Sequence, residues 1–215
     1  MIRIFTAAAA SLVLLPLAAH AQNIEVGARA STLGAGIEIG SNLNDHVRLR
    51  GLVNSWDYDH DNTTDNIHYN GKAKLGSAGV QVDYSPAANG SFYVTAGLYA
   101  NRNRVRETAT PTGNTQIGNL TYTPTEIGTL SGRAHYKDTA PYLGLGWSTK
   151  GTVAVNFELG AYFQGHPDVT LTSNGTLAGN PAYQDQLEQE RQKLRHDLDK
   201  LSTWPVVAVG VRYNF

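Results

Sequence analysis

Period-two alternation runs through most of this chain, and no other feature limits its fold so strongly. In "SFYVTAGLYANRN" (91–103), Phe92, Val94, Ala96, Leu98 and Ala100 fall on one face, against Tyr93, Thr95, Gly97, Tyr99 and Asn101 on the other. The pattern recurs in "STLGAGIEIG" (31–40), "HVRLRGLVNSW" (46–56), "PYLGLGW" (141–147), "VAVNFELGAYF" (153–163) and the last segment, "WPVVAVGVRYNF". Successive side chains of a strand point to opposite faces, so repeated alternation predicts antiparallel strands with two chemically different surfaces. One surface takes Val, Leu, Ile, Ala and Phe with almost no charge. The other takes Gly, Tyr, small polar residues and charges.

Two further segments are expected to be strands. "NIHYNGKAKLGSAGVQVDYS" (66–85) alternates, but Val80 and Val82 share parity with Lys72 and Lys74. An extra residue near Gly76-Ser77, a β-bulge, would return the valines to the apolar surface and leave the lysines on the polar one. "TLSGRAHY" (129–136) reads as a weaker strand. The connections differ in length: "SNLND", "SPAANGS" and "KDTA" are short, whereas 57–66 and 103–128 are long, polar and rich in Thr, Asn and Gly.

One segment breaks the period. "NPAYQDQLEQERQKLRHDLDKL" predicts a helix over about 181–201, with Asn180 as N-cap and Pro181 at the first helical position. Tyr183, Leu187, Leu194, Leu198 and Leu201 give it a sparse apolar stripe, suited to resting on a neighbour's surface. The first 21 residues, "MIRIFTAAAASLVLLPLAAHA", read as a cleaved signal peptide: Arg3, an apolar run, then Ala19-His20-Ala21. Residues 22–215 then form one domain. No Cys is present, and the net charge of −1 implies no bulk attraction to nucleic acid.

A soluble β-sandwich alternates too, but its polar surface meets water and tolerates any polar residue. Here that surface is Gly-rich and small, with a few charges of both signs, as a crowded lumen requires. The apolar surface is nearly free of charge, as lipid requires. Past the signal segment no apolar run reaches the roughly 20 residues of a membrane-spanning helix. Aromatic residues mark strand ends, among them Trp56, Tyr84, Trp147, Phe163, Trp204, Tyr213 and Phe215. The expected fold is therefore all-β: a closed antiparallel up-and-down transmembrane β-barrel of about eight strands, nine or ten being open, with the helix inserted before the last strand.

The signal segment, the alternation and the terminal "VRYNF" resemble the small outer-membrane β-barrel proteins of Gram-negative bacteria, the OmpA/OmpW-like superfamily. The resemblance implies location in the cell outer membrane. It also implies partners in outer-membrane lipid, lipopolysaccharide and the barrel-assembly machinery, which reads a C-terminal strand closed by an aromatic residue. Val207, Val209, Val211, Tyr213 and Phe215 match that pattern. One point conflicts. With short turns on the periplasmic side, a strand count starting at 31–40 leaves Phe215 at the outer end. A further strand in 22–31 or in 167–175 is one way out.

The inward charges are the candidate functional residues. Arg48, Arg50, Lys72, Lys74, Arg133 and Arg212 form the expected basic set, with Glu38 and Glu158 as acidic partners. The favoured reading is an ion-pair network filling the lumen of a structural or surface barrel. The alternative is a narrow porin-like channel for small solutes, with the anion preference that inward Arg and Lys would give. A lipid-modifying enzyme is a third reading, weakened because no motif joins His46, His60, His68 or His135 to a nucleophile; none of these residues is assigned to catalysis. Asp57, Asp59 and Asp61 have the spacing of a calcium loop, but Asn62 replaces its glycine and His68 its bidentate Glu. No metal or cofactor is expected.

Overall fold

The computed structural model describes residues 24–64 and 66–215, so the signal segment lies outside the described residues. The chain opens with five successive strands: β1 (Ile24–Ser31), β2 (Gly34–Asn42), β3 (Val47–Thr64), β4 (Ile67–Tyr84) and β5 (Phe92–Asn101). It then leaves the barrel for β6 (Arg104–Pro111), a hairpin of β7 (Thr115–Ile117) and β8 (Leu120–Tyr122), the one-turn helix α1 (Pro124–Ile127), and β9 (Leu130–His135). It returns with β10 (Thr139–Ser148) and β11 (Val153–Phe163) and leaves again for β12 (Asp168–Ser173) and α2 (Pro181–Asp199). It ends with β13 (Thr203–Asn214).

Eight strands close a ring in the order β1-β2-β3-β4-β5-β10-β11-β13, and every neighbouring pair is antiparallel. The seam joins the last strand to the first, from Glu25 opposite Asn214 to Ser31 opposite Ala208. Closure leaves the ring without an open edge, the condition for a sheet surrounded by hydrocarbon. β5, β10, β11 and β13 run 10, 10, 11 and 12 residues, against the roughly 9–11 that a tilted strand needs to cross.

β3 and β4 are much longer, 18 residues each, and outrun the membrane. Their register is unbroken from Val47 opposite Tyr84 to Thr64 opposite Ile67, so no bulge interrupts them at Gly76-Ser77. The change of chemistry along one face has another cause. On the outer face of β4, Tyr84, Val82, Val80 and Ala78 give way to Lys74, Lys72 and His68. On that of β3, Leu49 and Val53 give way to Asp57, Asp59 and Asp61. The same face meets lipid first and water afterwards.

β4 also changes partner at this point. Ser77–Tyr84 pairs with β5, while Ile67–Lys74 pairs with β6. Beyond β6 follow β9 and β12, so a five-stranded extension, β3-β4-β6-β9-β12, rises from one side of the barrel. The polar stretches 57–66 and 103–128, expected as loops, are largely strand. Water meets the outer face there and α2 with the β7–β8 hairpin covers only part of the inner one, so no regular alternation is selected.

The extension also removes the direction conflict. Residues 130–135 (β9) belong to it and not to the barrel, and β1 at 24–31 restores the count to eight. The strand at 168–173 (β12) is likewise outside the ring. Turns 43–46, 85–91 and 149–152 then share one end with Ile24 and Phe215, whose amide donates to the Ile24 carbonyl at 3.0 Å. The long excursions, 102–138 and 164–202, leave from the opposite end.

α2 is capped as its sequence requires: the Asn180 side chain accepts from the amides of Ala182 (2.9 Å) and Tyr183 (3.3 Å). It docks through its first half. Leu187 is buried with Ile117 and Ile127, and Tyr183 meets the Tyr122 ring edge-on at 5.0 Å. Leu194 and Leu201, further along the stripe, stay exposed.

Candidate functional site in the barrel lumen

Charged inward-facing residues of six of the eight barrel strands meet in one cluster at mid-lumen. Arg50 on β3 is its centre: the guanidinium lies 2.7 Å from Asp83 (β4), 2.7 Å from Glu158 (β11) and 3.3 Å from Glu38 (β2). Arg29 on β1 reaches Glu158 at 3.6 Å and Glu38 at 3.9 Å. Toward the turn end, Arg48 bridges Asp83 (2.6 Å) and Glu25 (3.2 Å), and Arg212 of β13 reaches Glu25 at 3.3 Å. Arg48 and Arg50 both lie over the Tyr93 ring of β5, at 5.1 and 5.5 Å. All eight charged residues are buried.

Four arginines thus face four carboxylates: Arg29, Arg48, Arg50 and Arg212 against Glu25, Glu38, Asp83 and Glu158. Formal charge cancels. Buried ions require such pairing, because an isolated one bears the full desolvation cost. Glu158 is the most connected acid. Besides its arginines it accepts from the Tyr142 hydroxyl (2.7 Å), the Tyr93 hydroxyl (3.3 Å) and the Gln81 amide (3.4 Å).

Past this network, toward the excursion end, the lumen turns aromatic. Tyr99 meets Tyr142 and Tyr162 edge-on at 6.0 and 5.5 Å, packed with Leu33, Leu52, Ala140 and Val206. Trp204, expected at a membrane boundary, packs against this layer instead. Glycine makes the layers possible: a Cβ on Gly146 would fall within the Tyr93 ring, and one on Gly79 within that of Tyr99. At the turn end a half-open recess of about 280 Å³ is bounded by Glu25, Arg48, Asp83, Tyr93 and Arg212.

The structure brings Arg48, Arg50, Arg212, Glu38 and Glu158 together. It does not bring in Lys72, Lys74 or Arg133. The two lysines lie on the outer face of β4 above the membrane, the consequence of a strand without the expected bulge, and Arg133 lies on the outer face of β9 in the extension. Arg29, Glu25 and Asp83 were not anticipated. The first two belong to β1, whose "IEVGARAS" alternates as the other strands do, and Asp83 follows from the continuous parity of β4.

Val207, Val209, Val211, Tyr213 and Phe215 all project from the outside of the barrel, alternating with buried Val206, Ala208 and Arg212. With Tyr84, Phe92 and Trp147 they give the turn end an exposed aromatic girdle. Asp57, Asp59 and Asp61 lie along one strand face, where alternate residues stand roughly 7 Å apart, too far to share one ion. At the β3–β4 tip, His68 lies 3.0 Å from the Thr63 hydroxyl and 3.3 Å from Asp61, all three exposed.

An eight-stranded closed barrel with a charge-free outer belt, an aromatic girdle and a polar interior is the fold of the outer-membrane β-barrel proteins. Among solved structures it is similar to CarO of Acinetobacter baumannii (24% identity, TM-score 0.61) and to CarO2 of the same organism (23% identity, TM-score 0.62). Each match covers 90% of this chain and 98% of the other. No protein-family model and no curated protein matches the chain.

Proposed function

We propose that this outer-membrane barrel is a structural and surface-display protein whose lumen is held shut, rather than a channel or an enzyme. The observation that carries this reading is the balanced network of four arginines and four carboxylates with the tyrosine layer stacked on it. An eight-stranded barrel has an interior that side chains just fill. Opening a path through this one requires separating several buried ion pairs together. The anion-channel reading also loses its premise: Lys72, Lys74 and Arg133 stand outside, and each remaining arginine has a carboxylate. In this reading the function lies at the outer end, where the extension, the β7–β8 hairpin and α2 stand beyond the membrane.

Sequestered this way, the terminal strand serves assembly: Phe215 and the apolar residues before it are offered to the assembly machinery before the seam closes. The test of the shut lumen is solute flux. Proteoliposomes containing the protein should swell in small amino acids or sugars no faster than empty liposomes, and faster swelling would favour the channel. Among the described residues, Thr63–His68–Asp61 is the one grouping with nucleophile–base–orienter connectivity. An altered lipid A or phospholipid profile on overexpression, lost in His68→Ala, would move the assignment to an enzyme.

A further inference from the structure

The outer face of the extension carries a basic field that the barrel itself does not use. Lys72 is paired across the ladder with Arg106, and Arg106 with Arg133. One row nearer the membrane, Lys74 stands opposite Arg104, and Arg104 opposite His135. Like charges directly opposite one another destabilise a sheet; the first row does this across three strands and the second across two. Acids stand only at the row ends. Asp57 is 4.0 Å from Lys74, Asp168 is 4.0 Å from His135, and Asp59 neighbours Lys72 in register. Among the described residues, no carboxylate oxygen comes within 4.0 Å of Arg104, Arg106 or Arg133.

Position gives the field its meaning. Gly76 has Arg102 beside it, two residues along β4 from Ala78, and below Ala78 the wall is the lipid-facing belt of Val80, Val82 and Leu98. Where β4 passes from β5 to β6, a cavity of about 310 Å³ is lined by Arg102, Arg104, Arg106, Arg133 and His135, with Asp138 the acid in its lining. Apolar wall below and unneutralised cations above match a lipid whose headgroup is anionic. The field spans three strands, roughly 10 Å at the usual inter-strand spacing, which is more than one phosphate covers. Guanidinium groups bind phosphate oxygens in bidentate fashion.

We propose that this face holds the phosphate groups of a multiply phosphorylated lipid standing in the leaflet around the barrel, with its acyl chains against the apolar belt. The ligand supplies the negative charge that the sheet lacks, and so sets the height and orientation of the extension over the membrane. The proposal concerns the outer wall and is independent of whether the lumen conducts.

The test uses the full chain in neutral detergent micelles, with bisphosphorylated lipid A as probe and fully dephosphorylated lipid A as its control. Binding to the phosphorylated probe is expected, weakened at least about tenfold in Arg104→Gln/Arg106→Gln/Arg133→Gln by the loss of three charges near the surface. It should also weaken as salt rises from about 50 to about 500 mM. Without ligand, the triple variant should unfold no more easily than the wild type, since it removes repulsion; a merely structural row would lose stability. Equal binding of the dephosphorylated probe, equal binding by a folded triple variant, or displacement by inorganic phosphate at the same concentration would each overturn the proposal. Should the variant fail to fold, the dephosphorylated and phosphate arms decide on the wild type alone.

Discussion

Glu158 shows what single residues contribute here. It answers two arginines and accepts three further hydrogen bonds, and it is fully buried. Glu158→Gln keeps the shape but leaves Arg50 and Arg29 short of a counter-charge. The expected cost is about 3–5 kcal/mol, the usual penalty for breaking a buried pair from one side, read as a lower urea midpoint for unfolding from lipid vesicles. Removing the partner as well, in Arg50→Met/Glu158→Leu, should return part of that loss, because both desolvation costs disappear together. Much of this network is visible in the sequence, since Arg48, Arg50, Glu38, Glu158 and Arg212 interrupt otherwise apolar or glycine-rich alternation. Lys72 and Lys74 join them only through the bulge invoked at Gly76-Ser77; continuous parity leaves both lysines outside, on the face of Val80 and Val82. What separates them is height along the strand, which parity does not encode.

At the scale of elements, β13 and α2 make opposite demands. β13 is held on both sides, by β11 and by β1, and Phe215, just past its end, still contributes a backbone hydrogen bond to Ile24 and an edge-on contact with Tyr213 at 4.9 Å. Deleting Phe215 is expected to reduce the inserted, heat-modifiable barrel more than it reduces export, measured by comparing membrane and periplasmic fractions; equal insertion would contradict its role in assembly. α2 depends instead on a small apolar contact. Leu187→Asp should free the helix, so that protease cuts within 181–199 while the barrel stays folded and heat-modifiable. The barrel strands were legible because lipid outside and a crowded lumen inside impose two chemistries on two faces. Of the extension strands, β9 and the upper part of β4 show in the pattern and β12 falls in a segment left open as a strand; β6, β7 and β8 do not show, because water bathes one face and the short β7–β8 hairpin and α2 cover only part of the other. Helix α2 was legible for a different reason, its Asn180-Pro181 start and charged repeat.

For the whole molecule, the fold divides into a closed barrel and an outer platform joined by two strands that belong to both. β3 and β4 carry the barrel wall into the extension without a break in register, so the platform is an outgrowth of the wall and not a tethered loop. That continuity explains how the polar segments find a template: β6 pairs with the upper part of β4, β9 then pairs with β6, and β12 with β9. In the proposed reading it also divides function spatially, with stability in the lumen and recognition outside. The central claim, that the lumen is sealed by its own charges and tyrosines, is met most directly by single-molecule conductance. Wild-type protein reconstituted into a planar bilayer should give no current steps at any applied voltage; resolved, voltage-tolerant steps from the folded barrel would contradict it.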